Sequence, residues 1–182
     1  MMRIKWPLLI AIFAIPLLIV FILHIFGKNR FDVPVYYNER PHRVPVCGYT
    51  PVPFKADYAY VGNDSLTAIF AIPEEVSQEQ KLQILRYKDR FSDKPVKALL
   101  ITMNSDPVVG CSHLKLVSGD FLDVITCQLI MEEGTDVVLV DGNKRIRGYY
   151  TASDREEIDR LSVETEILLK NGEFKPGSGK DL

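Results

Sequence analysis

Two residue types able to do thiol or metal chemistry lie side by side in the second half of the chain. Cys111-Ser112-His113 sets a thiol two residues from an imidazole, and Cys127 follows. Two thiolates and an imidazole are ligands for a soft transition metal, and two thiols can form a disulfide. The residues leave three outcomes open: a metal site built from Cys111, His113 and Cys127, a Cys111–Cys127 disulfide, or free or separately buried thiols beside an exposed histidine. The third cysteine, Cys47 in Val46-Cys47-Gly48, reads as packed in the segment before the domain or paired across it. A reactive thiol needs a helix N-terminus or a cationic neighbour, and His42 and Arg43 are neighbours of Cys47 in sequence only. No two of the three cysteines are close in sequence. A disulfide is permitted outside the cytoplasm, and three cysteines leave at least one unpaired.

The remaining candidates have a plainer reading. Glu74 and Glu75 are adjacent carboxylates ahead of a helix start, where acids serve the helix dipole; acid–base work would require burial to split their pKa values. His24 falls within an apolar run, where an ionisable residue raises a functional question; its place near the end of the run reads as a neutral interfacial imidazole. No Ser-His-Asp spacing, phosphate loop or H-E-x-x-H is present. No catalytic residue, cofactor or metal site is assigned. With 22 basic and 24 acidic residues the net charge is −2, which gives no electrostatic case for nucleic acid.

Residues 7–26 read PLLIAIFAIPLLIVFILHIF, without Asp, Glu, Lys or Arg. A helix of about 20 such residues matches a hydrocarbon core of roughly 30 Å, with Trp6 as an interfacial anchor and Pro16 tolerated in mid-span. The expectation is one N-terminal transmembrane helix in residues 1–28, inserted in the inner membrane with the C-terminal domain in the periplasm. A cleaved signal peptide is the alternative. Residues 29–60, rich in Pro and Tyr, read as an extended lead-in. There Tyr36, Tyr37, Tyr49, Tyr58 and Tyr60 serve as structural cover or as a contact surface. Residues 61–172 form the domain, and 173–182 a frayed tail.

Within the domain, LTAIFAI from Leu66 is a buried-strand run stopped by Pro73. Ser77-Gln78-Glu79-Gln80 has the form of a capping box, and Leu82, Ile84, Leu85, Tyr87 and Phe91 follow at helical spacing. VKALLITM from Val96 is a second apolar run. A helix between two such runs implies parallel strands. A helix is predicted from Gly119 to Met131 through Leu122, Ile125 and Leu129. A strand from Val137 to Val140 then meets a partner from Ile146 to Tyr150 across the hairpin signal Asp141-Gly142-Asn143. A last helix starts at a capping box with Ser153, turns Ile158, Leu161 and Leu168 inward, and closes at Asn171-Gly172. The order βαβ, helix, β-hairpin, helix is that of an α/β thioredoxin-like fold.

VVLVDGNKRIRGYY from Val137 with TASDREEIDRLSVETEILL after it resembles the C-terminal part of the Sco/SenC family of membrane-anchored thioredoxin-like proteins. NRFDVPVYYNE from Asn29, LTAIFAIPEE from Leu66 and VKALLITMNSDP from Val96 resemble its other segments. The resemblance implies a C-x-x-x-C just after the first strand and a histidine ahead of the hairpin, together holding copper or doing dithiol work. Here the first position reads Ile72-Pro73-Glu74-Glu75-Val76-Ser77 and the second Met131-Glu132-Glu133-Gly134-Thr135-Asp136, with neither cysteine nor histidine. No copper ligand carries over. The expected function is that of a membrane-anchored, non-catalytic Sco-like protein, an accessory factor with an unknown envelope protein partner in assembly of a respiratory oxidase or another envelope complex. Two alternatives stand beside it: a thiol-disulfide oxidoreductase or copper chaperone using relocated cysteines, and an envelope ligand-binding module.

Overall fold

The computed structural model describes residues 12–21, 32–40, 42–56, 61 and 64–175. The chain divides into two units, Met1–Phe31 and Asp32–Leu182. In the first, residues 12–21 are helical. Among the described residues no helix is long and apolar enough to cross a membrane. The transmembrane helix expected over residues 7–26, and the single-pass inner-membrane location drawn from it, are corrected on that ground. Trp6 and His24 lie outside the described residues.

The second unit is built on β3 (Leu66–Ile72), buried along its whole length. An apolar run with no polar face must be covered on both sides, so this strand takes the centre of the sheet. Its neighbours are β4 (Val96–Thr102), parallel, and β6 (Val137–Val140), antiparallel, with Phe70 opposite Leu100 on one side and Val137 on the other. The sheet order is β5-β4-β3-β6-β7, with β7 at Ile146–Tyr150 and β5 at Ser112–Lys115. The βαβ unit and the antiparallel hairpin on its other flank make the predicted thioredoxin-like arrangement. The edge strand β5 was not predicted: SHLK is short and mostly polar, and its pairing with Leu99–Thr102 holds it.

Side chains alternate between the faces of the sheet. Leu66, Ala68, Phe70, Leu100 and Leu139 face one helix pair, α1 (Gln78–Arg90) and α3 (Arg155–Asn171). Both helices turn their apolar stripes inward, through Ile84 and Tyr87 on α1 and Ile158, Leu161 and Leu168 on α3. The buried Tyr87 hydroxyl meets Thr165 Oγ1 at 3.0 Å between them. The stripe on α1 is narrower than predicted, for Leu82 points to solvent. The N-cap of α3 is Asp154, not Ser153: its carboxylate accepts from the amides of Glu156 and Glu157. Gly172, in the left-handed region, closes the helix.

Ile69, Ala71, Leu99, Ile101 and Val138 face the other way. There the predicted helix is in two parts, α2 (Ser118–Asp123) and a π-helix (Val124–Gln128). Phe121, Val124 and Leu129 meet the sheet, while Leu122 is exposed, so the buried stripe is not the Leu122-Ile125-Leu129 set that α-helical spacing selects. The lead-in also covers this face, burying Val44, Phe54 and Ala56. It carries a small hairpin of β1 (Arg43–Val44) and β2 (Gly48–Tyr49). It lines the β7 edge of the sheet, with Tyr36 N–H donating to Ile146 and Ala56 N–H to Lys144, which blunts an open strand edge.

Candidate functional site

The loop after β3 and the start of β6 meet at one end of the sheet, at the C-terminal ends of the parallel strands and the N-terminus of α1. In open parallel sheets this is where a helix N-terminus and loops converge on a ligand. The sequence around it here builds a closed hydrogen-bonded plug. Pro73, Glu74 and Glu75 are exposed and Val76 is buried. The buried Ser105 hydroxyl, from the loop after β4, accepts from Val76 N–H at 2.8 Å and donates to the Glu74 carbonyl at 2.8 Å. One side chain thus satisfies both backbone groups that the turn leaves unpaired, the condition for burying them. Thr102 Oγ1 lies beside it, 3.0 Å from His113 Nε2.

The helix start completes the plug. Ser77 Oγ accepts from Gln80 N–H at 3.1 Å, and Gln80 Oε1 accepts from Ser77 N–H at 3.0 Å: the predicted capping box. The other end of the Gln80 amide donates to Asp136 Oδ2 at 3.1 Å. The second Asp136 carboxylate oxygen accepts from Ala152 N–H, and the Asp136 carbonyl accepts from Ala71 N–H at the end of β3. Burial pushes the Asp136 carboxyl above the usual carboxylate range, and the two hydrogen bonds offset this in part. The arrangement presents hydroxyl and carboxyl oxygens, already engaged with backbone and amide partners, and no sulfur. Cu(I) prefers thiolate and thioether ligands, so these residues do not fit the copper that the Sco/SenC resemblance implies.

The thiol candidates are taken apart by the sheet. Cys111, just ahead of β5, packs against the core on the α1 and α3 side. Burial raises its thiol, the Lys88 ammonium partly offsets this, and Asp89 adds to the rise, so at neutral pH it stays protonated. His113 is spoken for by Thr102. Cys127 lies in the π-helix on the opposite face and is bonded to Cys47. The Cys111–Cys127 disulfide is therefore corrected. Cys111 is the free cysteine, and the pairing across the domain left open for Cys47 is the one formed. The sheet stands between Cys111 and Cys127, and the lead-in brings Cys47 to a Cα–Cα distance of 5.6 Å from Cys127. Among the described residues no three His, Cys, Asp or Glu side chains converge as a metal site, which also sets aside Cys111, His113 and Cys127 as a ligand set.

The lead-in tyrosines divide between packing and exposure. Tyr36 stacks edge-on to Tyr149 at 5.3 Å and Tyr37 to Phe54 at 6.1 Å, while Tyr49 is exposed; Tyr58 and Tyr60 lie outside the described residues. Of the residues that build the plug, Ser105 and Asp136 were not singled out from sequence. Asp136 carried a signal, a lone carboxylate at the mouth of a wholly apolar strand. Ser105 carried none.

No protein-family model matches the chain, and no curated protein matches it. Solved structures with a similar chain course include a SCO1/SenC family lipoprotein from Bacillus anthracis str. Ames, 10% identical over 59% of this chain and 83% of that one, TM-score 0.46. BsSco, a member of the Sco family of cytochrome c oxidase assembly proteins, is 8% identical over 76% of this chain and 96% of that one, TM-score 0.48. The yeast mitochondrial 1-Cys peroxiredoxin is 15% identical over 78% of this chain and 80% of that one, TM-score 0.45. At these identities no residue's role transfers from them.

Proposed function

We propose that this chain is a Sco-like thioredoxin-fold protein that acts by contact with a protein partner, with no copper or thiol chemistry at the end of the sheet where the family resemblance puts it. One observation carries the reading: the Ser105 hydroxyl bridges Val76 N–H and the Glu74 carbonyl, filling the turn that would otherwise present a redox pair. An accessory role in assembling a respiratory complex is the context the resemblance suggests, an analogy of fold. The ligand-binding alternative has less behind it. The depression beside Val35, Tyr37 and His42 is wide open to solvent and lined with Asn38, Glu39 and Arg40, unlike the enclosed, mostly apolar sites that hold small ligands.

The test is a Cu(I) titration of the purified chain against a competing chelator, with Cys111→Ser alongside. The expected result is binding no tighter than that of a small-molecule thiol at equal thiol concentration. A stoichiometric copper complex that withstands the chelator would overturn the reading.

A further inference from the structure

The sulfur chemistry absent from the end of the sheet has a second location. The Cys47–Cys127 disulfide joins residues 80 apart in sequence, one on the lead-in hairpin and one in the π-helix. Its two sulfurs are not equivalent. Cys47 sits at the exposed tip of the hairpin, between Val46 at 84% and Tyr49 at 72% exposure, whereas Cys127 is half-buried against the helix. Gly48, the next residue, has φ +85° and, apart from its chain neighbours, no heavy atom within 4 Å of where a Cβ would stand, so nothing else packs on the hairpin there.

The hairpin is held at its base and free at its tip. Val44 is buried, Thr50 N–H donates to the His42 carbonyl, and His42 N–H donates to Thr50 Oγ1. Beyond it, Phe54 and Ala56 are core residues. Among the described residues no hydrogen bond joins residues 45–49 to α2 or the π-helix. The disulfide closes the tip onto the helix, and opening it leaves the buried anchors on either side in place. Exposed disulfides are the labile ones, and exchange proceeds at the more accessible sulfur.

We propose that Cys47–Cys127 is a thiol–disulfide exchange site that takes a partner dithiol at Cys47. A thiolate of the partner attacks Cys47 Sγ. The new sulfur–sulfur bond forms as the Cys47–Cys127 bond breaks, and Cys127 leaves as a thiolate that takes a proton from water. The partner's second thiolate then attacks its own sulfur in the mixed disulfide and releases Cys47. Two electrons pass from the dithiol to this chain, the partner leaves as a disulfide, and the hairpin tip is released from the π-helix. The inference goes beyond the contact role above and is independent of it, since it uses neither Ser105 nor Asp136.

The experiment uses the full chain and its Cys111→Ser variant, exposed to reduced glutathione, quenched in acid and mapped by peptide mass; the wild-type chain reports without the substitution should the variant fold poorly. The mixed disulfide is expected on Cys47 at least tenfold over Cys127. After full reduction with dithiothreitol, the Cys47 amide at the tip, which donates to the Val44 carbonyl, should exchange hydrogen at least tenfold faster, with Thr50 at the held base and Ile69, Leu100 and Val138 in the sheet unchanged. Glutathione on Cys127, a disulfide reduced only when the β3 amides also open, or reduction that leaves the Cys47 amide as protected as before would each overturn the proposal.

Discussion

The two ends of the sheet are held by different chemistry. At the end with the β3 loop and the start of α1, neutral donors and acceptors are matched one to one through Ser105, Gln80 and a single carboxyl, Asp136. At the other end, by the β6–β7 hairpin, four charged side chains are locked together. Arg147 and Asp141, 3% and 0% exposed, pair at 3.1 Å, and Arg145 reaches Asp141 at 2.8 Å and Glu173 at 3.2 Å. Arg147 also pairs with Glu173 and donates to the Val33 carbonyl at 2.6 Å. That cluster ties the hairpin, the end of α3 and the lead-in together. Gly142 allows this closure, since a Cβ there would stand 2.2 Å from the Phe174 carbonyl oxygen. Charges this well paired with one another serve the fold. A functional site would be the place to look for an unpaired one, and the plugged end offers a carboxyl with a displaced pKa instead.

The contrast breaks most sharply at Arg147. Arg147→Ala strands the buried Asp141 with one partner fewer, and such truncations cost about 3–5 kcal/mol. Denaturant melts should show that loss, and substituting Asp141 by Asn in the same chain should recover part of it. A loss under 1 kcal/mol would mean that the charged end holds the fold no more firmly than the neutral one.

Ser105→Ala should cost less, about 1–3 kcal/mol, the penalty of leaving a buried amide and carbonyl without their bridging hydroxyl. The same melts measure it. An accompanying gain in hydrogen exchange at Val76 would show that the plug has loosened locally, and unchanged protection there would contradict the bridging role.

The smallest effect is the pH dependence at Asp136. Its native pKa is raised above the unfolded value of about 3.9, so between those two values the native state binds more protons than the unfolded one. Stability from this group is then fully present below the unfolded pKa and declines as pH rises through the native pKa. Asp136→Asn should flatten that decline. Melts of both chains across the acid range check it, and parallel pH profiles would remove Asp136 as the source.

How much of this was legible beforehand follows from the range of the interactions. Local order showed in the residues. The all-apolar run from Leu66 marked a buried strand, Ser77 and Gln80 marked the start of α1, and Gly172 marked the end of α3, because each signal lies within a short stretch of chain. The turn at Asp141-Gly142-Asn143 was recognisable too, though the residue at positive φ is Lys144 and Gly142 is needed for its close approach to Phe174. Distant partners left no such mark. A sequence with three cysteines does not say that Cys47 rather than Cys111 meets Cys127; that depends on which face of the sheet each element covers. Arg147 and Asp141 look like surface charges until Glu173 and Val33 arrive from opposite ends of the domain. The strand at Ser112–Lys115 exists because Leu99–Thr102 offers an open edge. The apolar run at residues 7–26 had the composition of a membrane span, yet among the described residues no helix is long and apolar enough to cross a membrane. The sequence by itself determined the strands from Leu66 and Val96, the hairpin strands from Val137 and Ile146, the capped start of α1 and the close of α3, whose signals are local. Only the tertiary structure decided which sulfur, charge and hydroxyl would meet, because those contacts are made by residues that have nothing in common until the sheet is assembled.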